Sequence, residues 1–168
     1  SQKKYWDIDF PVAGEHVNHH DEGYYIEGVR DHLLEAVNLR LNADVPVGCY
    51  LSGGIDSCSI LGLSAAARQD PVKAFTIGFD SSEYDETAVA REMADMTGAD
   101  QLVLSVSADH LYDNFARTIW HTERTIYNTL AVAKLLMSET VKANRYKVVL
   151  TGEGSDELFA GYPAFRQD

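Results

Sequence analysis

The chain has 168 residues, a formal net charge of −12 at pH 7 and a hydrophobic content of 45%. This composition is typical of a folded domain with its own core, and so acidic a domain is a poor partner for nucleic-acid phosphates. No stretch approaches the roughly 18 apolar residues of a membrane helix, and the N-terminus lacks an apolar signal-peptide core. We therefore expect a cytoplasmic protein that acts on small molecules, without nucleic-acid or membrane partners.

Residues 1–22 show no clear periodicity, and we interpret them as a connecting arm ahead of a domain over residues 23–168. From Glu22 to Leu41 apolar side chains recur every three or four positions, which predicts an amphipathic helix. Further along, short apolar runs alternate with helical patterns. The patterns predict strands over residues 45–51, 73–79, 101–106 and 147–151, and helices over 59–68, 86–97, 107–120 and 130–144. This alternation predicts a doubly wound α/β fold, a parallel sheet with helices on both faces.

Two glycine-containing loops follow predicted strands, and the first is Ser52–Ser57, with the sequence SGGIDS. Consecutive glycines let the backbone approach a ligand without a Cβ in the way. The first turn of the next helix presents free N–H groups and the positive end of the helix dipole, which together favour anions. No Gly-Lys-Ser/Thr follows, so this is not a Walker loop. The plainer interpretation is a turn in which Asp56 or Ser57 caps the helix.

The second loop, Thr151–Tyr162, follows the last predicted strand with the sequence TGEGSDELFAGY. Three acids, Glu153, Asp156 and Glu157, stand close together in it although neighbouring like charges repel. Capping of a helix N-terminus accounts for Asp156 and Glu157. It does not account for Glu153 between two glycines, which indicates a bound cation or a reacting group.

The first loop resembles the pyrophosphate loop of the ATP pyrophosphatase superfamily, whose members cleave ATP between the α- and β-phosphates. The second loop is similar to the signature of the asparagine synthetase family, and the resemblance runs from about Tyr5 to Phe165. It implies a fold of the adenine nucleotide alpha hydrolase-like kind, with both loops at neighbouring strand ends. Because open α/β sheets bind ligands where the strand order reverses, we expect the first and fourth strands to be neighbours.

The resemblance implies a role for each matching position. The positions that match pyrophosphate contacts are Ser52, Gly53, Gly54, Asp56 and Ser57. The positions that match adenosine contacts are Leu51, Ile77, Thr151 and Gly152. Asp56 and Asp156 match the carboxylates that hold Mg²⁺, an ion that favours one or two carboxylates beside phosphate oxygens and water. Glu153 matches the glutamate of the adenylate step and is the candidate catalytic residue.

The activity that the resemblance implies is amide formation with ATP and Mg²⁺ as cofactors. A carboxylate, from aspartate or a related acid, is activated as an acyl-adenylate and passed to ammonia or an amine. Family members carry an N-terminal glutaminase, so residues 1–22 are expected to be the connector from such a domain. Residues 23–168 are expected to be a C-terminally incomplete synthetase domain. The segment that grips aspartate in the family has no clear match in residues 123–130, where Arg124 is the candidate to bind a carboxylate.

Two alternatives stay open at this point. Another ATP pyrophosphatase, such as an NAD synthetase, can carry the same first loop, although the acids of the second loop argue against it. A non-catalytic nucleotide-binding fragment could keep the fold without the chemistry. The presence of Asp56, Glu153 and Asp156 argues against that loss.

Overall fold

The computed structural model describes residues 1–7, 20–80 and 85–166 of the chain. The chain divides into two compact units, Ser1–Leu33 and Leu34–Asp168. Most of the connector that we predicted over residues 1–22 lies outside the described residues. Within the described ranges, no helix combines the length and the apolar character needed to cross a membrane.

The predicted N-terminal helix is present as α1 (Glu22–Leu41). Its start is fixed by Asp21, whose carboxylate accepts a hydrogen bond from the Tyr24 N–H at 2.9 Å. The His20 and Tyr24 rings stack with their centroids 3.8 Å apart. Of the predicted apolar stripe only Val37 is buried. Capping and ring stacking, rather than burial of the stripe, therefore support the first turns.

The second unit alternates strands and helices as the sequence predicts. In chain order its elements are β1 (Val47–Tyr50), α2 (Ile55–Ala66), β2 (Lys73–Phe79), α3 (Thr87–Thr97), β3 (Asp100–Val106), α4 (Ala108–Asp113), α5 (Phe115–Thr122), α6 (Leu130–Ala143), β4 (Val148–Leu150), α7 (Ser155–Phe159) and a 3-10 turn, Pro163–Arg166. Gly98 ends α3 in the left-handed region, at a φ of +65°, where glycine has no Cβ to strain.

The four strands form one parallel sheet in the order β3-β2-β1-β4. On one side of β1, Cys49 pairs with Ala74 of β2, and on the other side Val47 pairs with Val148 of β4. The prediction that the first and fourth strands are neighbours is therefore confirmed. The chain moves outward from β1 to β3 and then crosses back to β4, so the strand order reverses between β1 and β4.

Helices cover both faces of this sheet. One core cluster joins Cys49 and Ala74 to Leu61 of α2 and to Ala90 of α3. The other core cluster joins Phe75 to Met137 and Val141 of α6. Successive strand residues such as Ala74 and Phe75 enter different clusters, because side chains alternate between the faces of a strand. The predicted doubly wound α/β architecture is confirmed.

The predicted helical segment over residues 107–120 is present, but a break divides it into two helices, α4 and α5. The Ser107 hydroxyl accepts a hydrogen bond from the His110 N–H at 3.2 Å and caps α4. At the break, the Asn114 side-chain amide donates to the His110 carbonyl at 2.8 Å. Asparagine side chains compete with the backbone for such bonds and so interrupt helices. The helix restarts at Phe115.

Candidate active site

The first loop turns the chain from β1 into α2 through two glycines. Gly53 has a φ of +94°, in the left-handed region, where a side chain would be strained. Gly54 is extended, and α2 begins directly after it at Ile55 rather than at the predicted residue 59. No side chain caps this helix, so the interpretation in which Asp56 or Ser57 caps it is wrong. The first N–H groups of α2 therefore have neither a side-chain cap nor a partner within the helix.

Hydroxyl groups hold the first loop in shape. Ser57 Oγ accepts a hydrogen bond from the Ser52 N–H at 3.1 Å and donates one to the Gly54 carbonyl at 3.0 Å. Ser52 Oγ lies 3.0 Å from Ser57 Oγ and accepts from the Gly54 N–H at 3.3 Å. These bonds close the turn on itself, so its backbone donors are arranged before any ligand arrives.

The second loop packs directly against the first turn of α2. A Cβ added at Gly152 would lie 2.6 Å from Asp56 Cβ and 3.0 Å from the Ser57 backbone nitrogen. Only glycine permits so close an approach. The loop continues through Gly154, at a φ of +96°, into α7. The two loops, which follow the neighbouring strands β1 and β4, are therefore in contact at Gly152.

Two acids of the second loop have identified partners. Glu153 Oε1 accepts a hydrogen bond from Lys134 Nζ of α6 at 2.7 Å. Glu157 Oε1 accepts one from the Tyr162 hydroxyl at 2.7 Å. This hydrogen bond, and after it desolvation and the charges of Glu157, Asp156 and Glu153, raises the pKa of Tyr162 above its ordinary value. Tyr162 therefore remains a protonated donor at neutral pH, in a negatively charged neighbourhood.

Both loops border a cleft of about 380 Å³ at the carboxyl ends of the strands. Every position that the sequence assigned to nucleotide, metal or catalysis lines this cleft, with the exception of Gly53. Gly53 packs instead against the start of α3, where an added Cβ would lie 3.1 Å from the Glu86 carbonyl oxygen. The apolar part of the lining includes Tyr50, Phe75, Ile77, Phe79, Leu130 and Met137. An apolar wall with a few convergent polar groups is typical of a small-molecule site.

The described lining is strongly acidic. Its one cationic side chain is Lys134. Its carboxylates belong to Asp56, Glu86, Glu153, Asp156 and Glu157. Since like charges repel, an anionic ligand here needs accompanying cations or well-placed N–H donors.

Asp56 and Asp156 are the predicted Mg²⁺ ligands, one on each loop. In the part of the chain that the structure describes, no group of three or more His, Cys, Asp or Glu residues could hold a metal ion. The pair remains compatible with Mg²⁺ that arrives with a nucleotide, because Mg²⁺ commonly combines one or two carboxylates with phosphate oxygens and water. Gly161 leaves space beside Asp156, since a Cβ there would collide with Asp156 Oδ1.

Sequence reasoning did not single out Lys134. In the cleft lining it stands between Leu130 and Met137 of α6, and positions four and three residues apart share a helix face. A lysine inside an apolar helical face was the available signal. Arg124, the residue predicted to bind a carboxylate, follows the end of α5 and lies outside the lining of this cleft.

Comparison with known proteins identifies the family of this chain. Residues 28–168 match the family model described as asparagine synthase. The chain belongs to the asparagine synthase family. The resemblance predicted from the two loops is thereby confirmed.

Two curated relatives of this family member illustrate its similarity to proteins of different names. The chain is 42% identical to "Amidase chyE" of Penicillium rubens over 181 aligned positions, which cover 99% of this chain and 27% of that protein. It is 33% identical to the glutamine-hydrolysing asparagine synthetase 1 of Bacillus subtilis over 148 positions, which cover 88% of this chain and 23% of that protein. The chain therefore spans about a quarter of the length of these relatives.

Among solved structures, the chain resembles the glutamine-dependent NAD⁺ synthetase of Acinetobacter baumannii in complex with ADP. The TM-score is 0.58 at 19% identity, over 81% of this chain and 27% of that chain. At this identity the likeness shows the fold alone. With the parallel sheet, it confirms the predicted fold of this asparagine synthase family member.

Proposed function

We propose that this domain forms amide bonds with ATP as the energy source. It activates a carboxylate as an acyl-adenylate, releases pyrophosphate and transfers the acyl group to ammonia or an amine. The observation that carries the proposal is the contact of Gly152 with Asp56 and Ser57, where the strand order reverses. That contact brings an uncapped helix N-terminus and a set of carboxylates to one cleft. Ligands of open α/β sheets bind at such a position.

In this proposal the first loop holds the pyrophosphate part of ATP. The N-terminus of α2 has no side-chain cap, and its N–H groups and dipole attract phosphate oxygens. Ser52 and Ser57 add hydroxyl groups at the same edge of the cleft. The residues proposed to contact adenosine also line the cleft, and they are Leu51, Ile77, Thr151 and Gly152.

Asp56 and Asp156 are the proposed ligands of Mg²⁺. The fit rests on charge, because the described lining has five carboxylates and one ammonium group. ATP brings further negative charge, so its binding there requires a cation. When bound, Mg²⁺ neutralises charge on the phosphates as pyrophosphate leaves.

The reaction follows in two steps. A carboxylate oxygen of the acid forms a bond to the α-phosphorus of ATP, and the bond from that phosphorus to the bridging oxygen breaks. Pyrophosphate leaves with the electron pair, and N–H groups of the first loop take up its charge. The nitrogen nucleophile then bonds to the acyl carbon, AMP leaves, and Glu153 accepts the proton that the amine loses.

The acid is proposed to be aspartate or a related carboxylic acid. The Bacillus subtilis relative is named as glutamine-hydrolysing, so we propose that a glutaminase domain supplies ammonia in the full-length protein. The Penicillium rubens relative is named an amidase, and that name also fits hydrolysis of an amide without ATP. Amide formation rather than amide hydrolysis is favoured, because the cleft combines an anion-binding turn with carboxylates suited to Mg²⁺, and these are groups that would bind ATP.

Exchange of labelled pyrophosphate into ATP tests the proposal. The full-length protein that carries this chain is incubated with Mg²⁺, ATP and a panel of aliphatic, aromatic and amino acids that includes aspartate. We expect exchange that depends on one class of acid and on Mg²⁺, and an amide plus AMP when ammonia is added.

Each alternative has its own outcome when deamido-NAD and amides are added to the panel and when ammonia release and ATP binding are also measured. Exchange with deamido-NAD alone indicates an NAD synthetase. Release of ammonia from an amide without ATP indicates a hydrolytic amidase. ATP binding without exchange for any acid indicates a non-catalytic nucleotide-binding module.

A further inference from the structure

The described cleft lining contains one cationic side chain, Lys134, to which the proposed reaction assigns no role. Lys134 Nζ lies 2.7 Å from Glu153 Oε1, and both side chains remain accessible, at 50% and 71% exposure respectively. Lys134 projects from α6, on the helix face that also brings Leu130 and Met137 to the cleft. The only lysine, arginine or histidine in the described lining is therefore held at the candidate catalytic glutamate.

We propose that Lys134 determines substrate specificity by binding a carboxylate of the incoming acid. When the acid enters, the Lys134 ammonium group leaves Glu153 and binds that carboxylate instead. This inference rests on the proposed amide-forming function. It assigns to α6 the recognition role that the sequence had suggested for Arg124, which lies outside the lining.

The charge of the cleft supports this assignment. An acid that enters meets the carboxylates of Asp56, Glu86, Glu153, Asp156 and Glu157, all of which line the cleft. In the proposed complex, Mg²⁺ and the first loop are engaged with the phosphates of ATP. Lys134 is then the remaining cationic group in the described lining, and its ammonium group can donate up to three hydrogen bonds to oxygen.

The exchange of partners is physically easy. An ion pair between accessible side chains is weak, since water screens the charges and solvates both groups when they separate. Lysine also has a flexible four-carbon stem, so its ammonium group can turn from Glu153 to a ligand nearby. Glu153, once released, is free to accept the proton of the nitrogen nucleophile. Binding of the acid and preparation of the base thus become linked.

Kinetics of Lys134→Met test the inference. Methionine keeps an unbranched stem and removes the charge. In pyrophosphate exchange by the full-length protein, with the acid that the panel identifies, we expect KM for the acid to rise about 10- to 100-fold, as for loss of a charged hydrogen bond. The Kd of Mg-ATP without acid should stay within about twofold of wild type. Lys134→Arg should recover part of the affinity, since a guanidinium also binds carboxylate.

Lys142→Met is the matched control, because Lys142 is an exposed residue of the same helix and lies outside the cleft lining. It should leave KM and kcat unchanged. If Lys134 serves only to hold Glu153 in place, Lys134→Met will lower kcat and leave KM for the acid unchanged. That result would overturn the role of Lys134 in binding the acid and leave the proposed function standing. Absence of exchange in the wild type with every acid overturns the proposed function and the inference together.

Discussion

The two loops of the candidate site follow neighbouring strands, yet their structures depend on different parts of the molecule. The first loop is closed by bonds within itself, between Ser52, Gly54 and Ser57, and opens the 12-residue helix α2. The second loop opens a helix of only five residues, α7. Of its acids, Glu153 bonds outside the loop, to Lys134 of α6, and Glu157 bonds within it, to the Tyr162 hydroxyl. The side-chain hydrogen bonds of the first loop are therefore local, whereas the second loop adds a tertiary bond through its candidate catalytic residue, Glu153.

The two loops also share one feature. Ser57 Oγ donates to the Gly54 carbonyl at 3.0 Å, and Ser155 Oγ donates to the Gly152 carbonyl at 2.9 Å, each three residues back. The same kind of serine-to-glycine hydrogen bond thus occurs in the first turn of both helices. What differs is that the first loop offers N–H groups, hydroxyls and the single carboxylate of Asp56, whereas the second offers three carboxylates. We expect changes to the acids of the second loop to affect the chemical step more than folding.

The largest effect is predicted for Glu153→Gln. Glutamine retains the shape but cannot accept a proton from the amine, so amide formation should fall about 10²- to 10⁴-fold. Mg-ATP affinity should change little, because the proposed phosphate contacts lie on the first loop. Product formation by quenched assay, with parallel ATP titration, measures both quantities.

Glu139→Gln is the control for this prediction. Glu139 also forms an ion pair across helices, at 2.8 Å from Arg117 Nη1, and it lies outside the cleft. This variant should keep wild-type turnover. Normal turnover in Glu153→Gln would show that Glu153 is a loop residue without a chemical role.

The next largest effect is predicted for the two proposed Mg²⁺ ligands, one from each loop. Asp56→Asn and Asp156→Asn should each weaken Mg²⁺-dependent ATP binding by roughly 10- to 100-fold, the scale of a lost charged interaction. Calorimetric titration of ATP with and without Mg²⁺ separates this effect from direct nucleotide contacts. Asp113→Asn, at an exposed position outside the lining, is the control. If both variants bind Mg-ATP like wild type, the two loops do not share a metal ion.

A smaller effect, on folding, is predicted where the loops touch. Gly152→Ala places a Cβ 2.6 Å from Asp56 Cβ and 2.8 Å from the Asp56 carbonyl carbon. Because one of these is a backbone atom, the loops must separate, at a cost of about 1–3 kcal/mol in the free energy of unfolding. Urea denaturation measures it.

The control is Gly28→Ala in α1, where an added Cβ meets nothing within 4 Å. That change should stabilise the protein by about 0.5–1 kcal/mol, since alanine is the better helix former. Equal stability of Gly152→Ala and wild type would mean that the contact between the loops is not tight in solution.

The same division between local and tertiary structure explains what the sequence could predict. The alternation of strands and helices was predictable because it is visible in local sequence patterns. The adjacency of β1 and β4 was predictable because ligands of open α/β sheets bind where the strand order reverses. The break between α4 and α5 at Asn114 depends on one side chain that competes with the backbone for a hydrogen bond. The spacing of apolar residues does not reveal it. Lys134 was missed because only the packing of α6 against the sheet brings it to Glu153. Binding roles for the individual loop residues stay predictions.

The smallest effect is predicted for two serines in the first turns of helices, Ser57 of α2 and Ser155 of α7. Both are half-buried, and each donates to a glycine carbonyl three residues back. Ser57 Oγ also accepts from the Ser52 N–H and lies 3.0 Å from Ser52 Oγ. Because a hydrogen bond contributes about 0.5–1.5 kcal/mol net, Ser155→Ala should lower the free energy of unfolding by about 0.5–1 kcal/mol, and Ser57→Ala by about 1–2 kcal/mol.

Urea denaturation of the two variants, compared at constant m-value, tests this ranking. A larger loss for Ser57→Ala would support a first loop whose shape is set by its own hydroxyl bonds. Equal losses would mean that the extra bonds of Ser57 contribute nothing net, because water replaces them. In that case the contact at Gly152, rather than the serines, holds the first loop in place. The double variant Ser57→Ala with Gly152→Ala then separates the two causes, since sites in contact show non-additive losses.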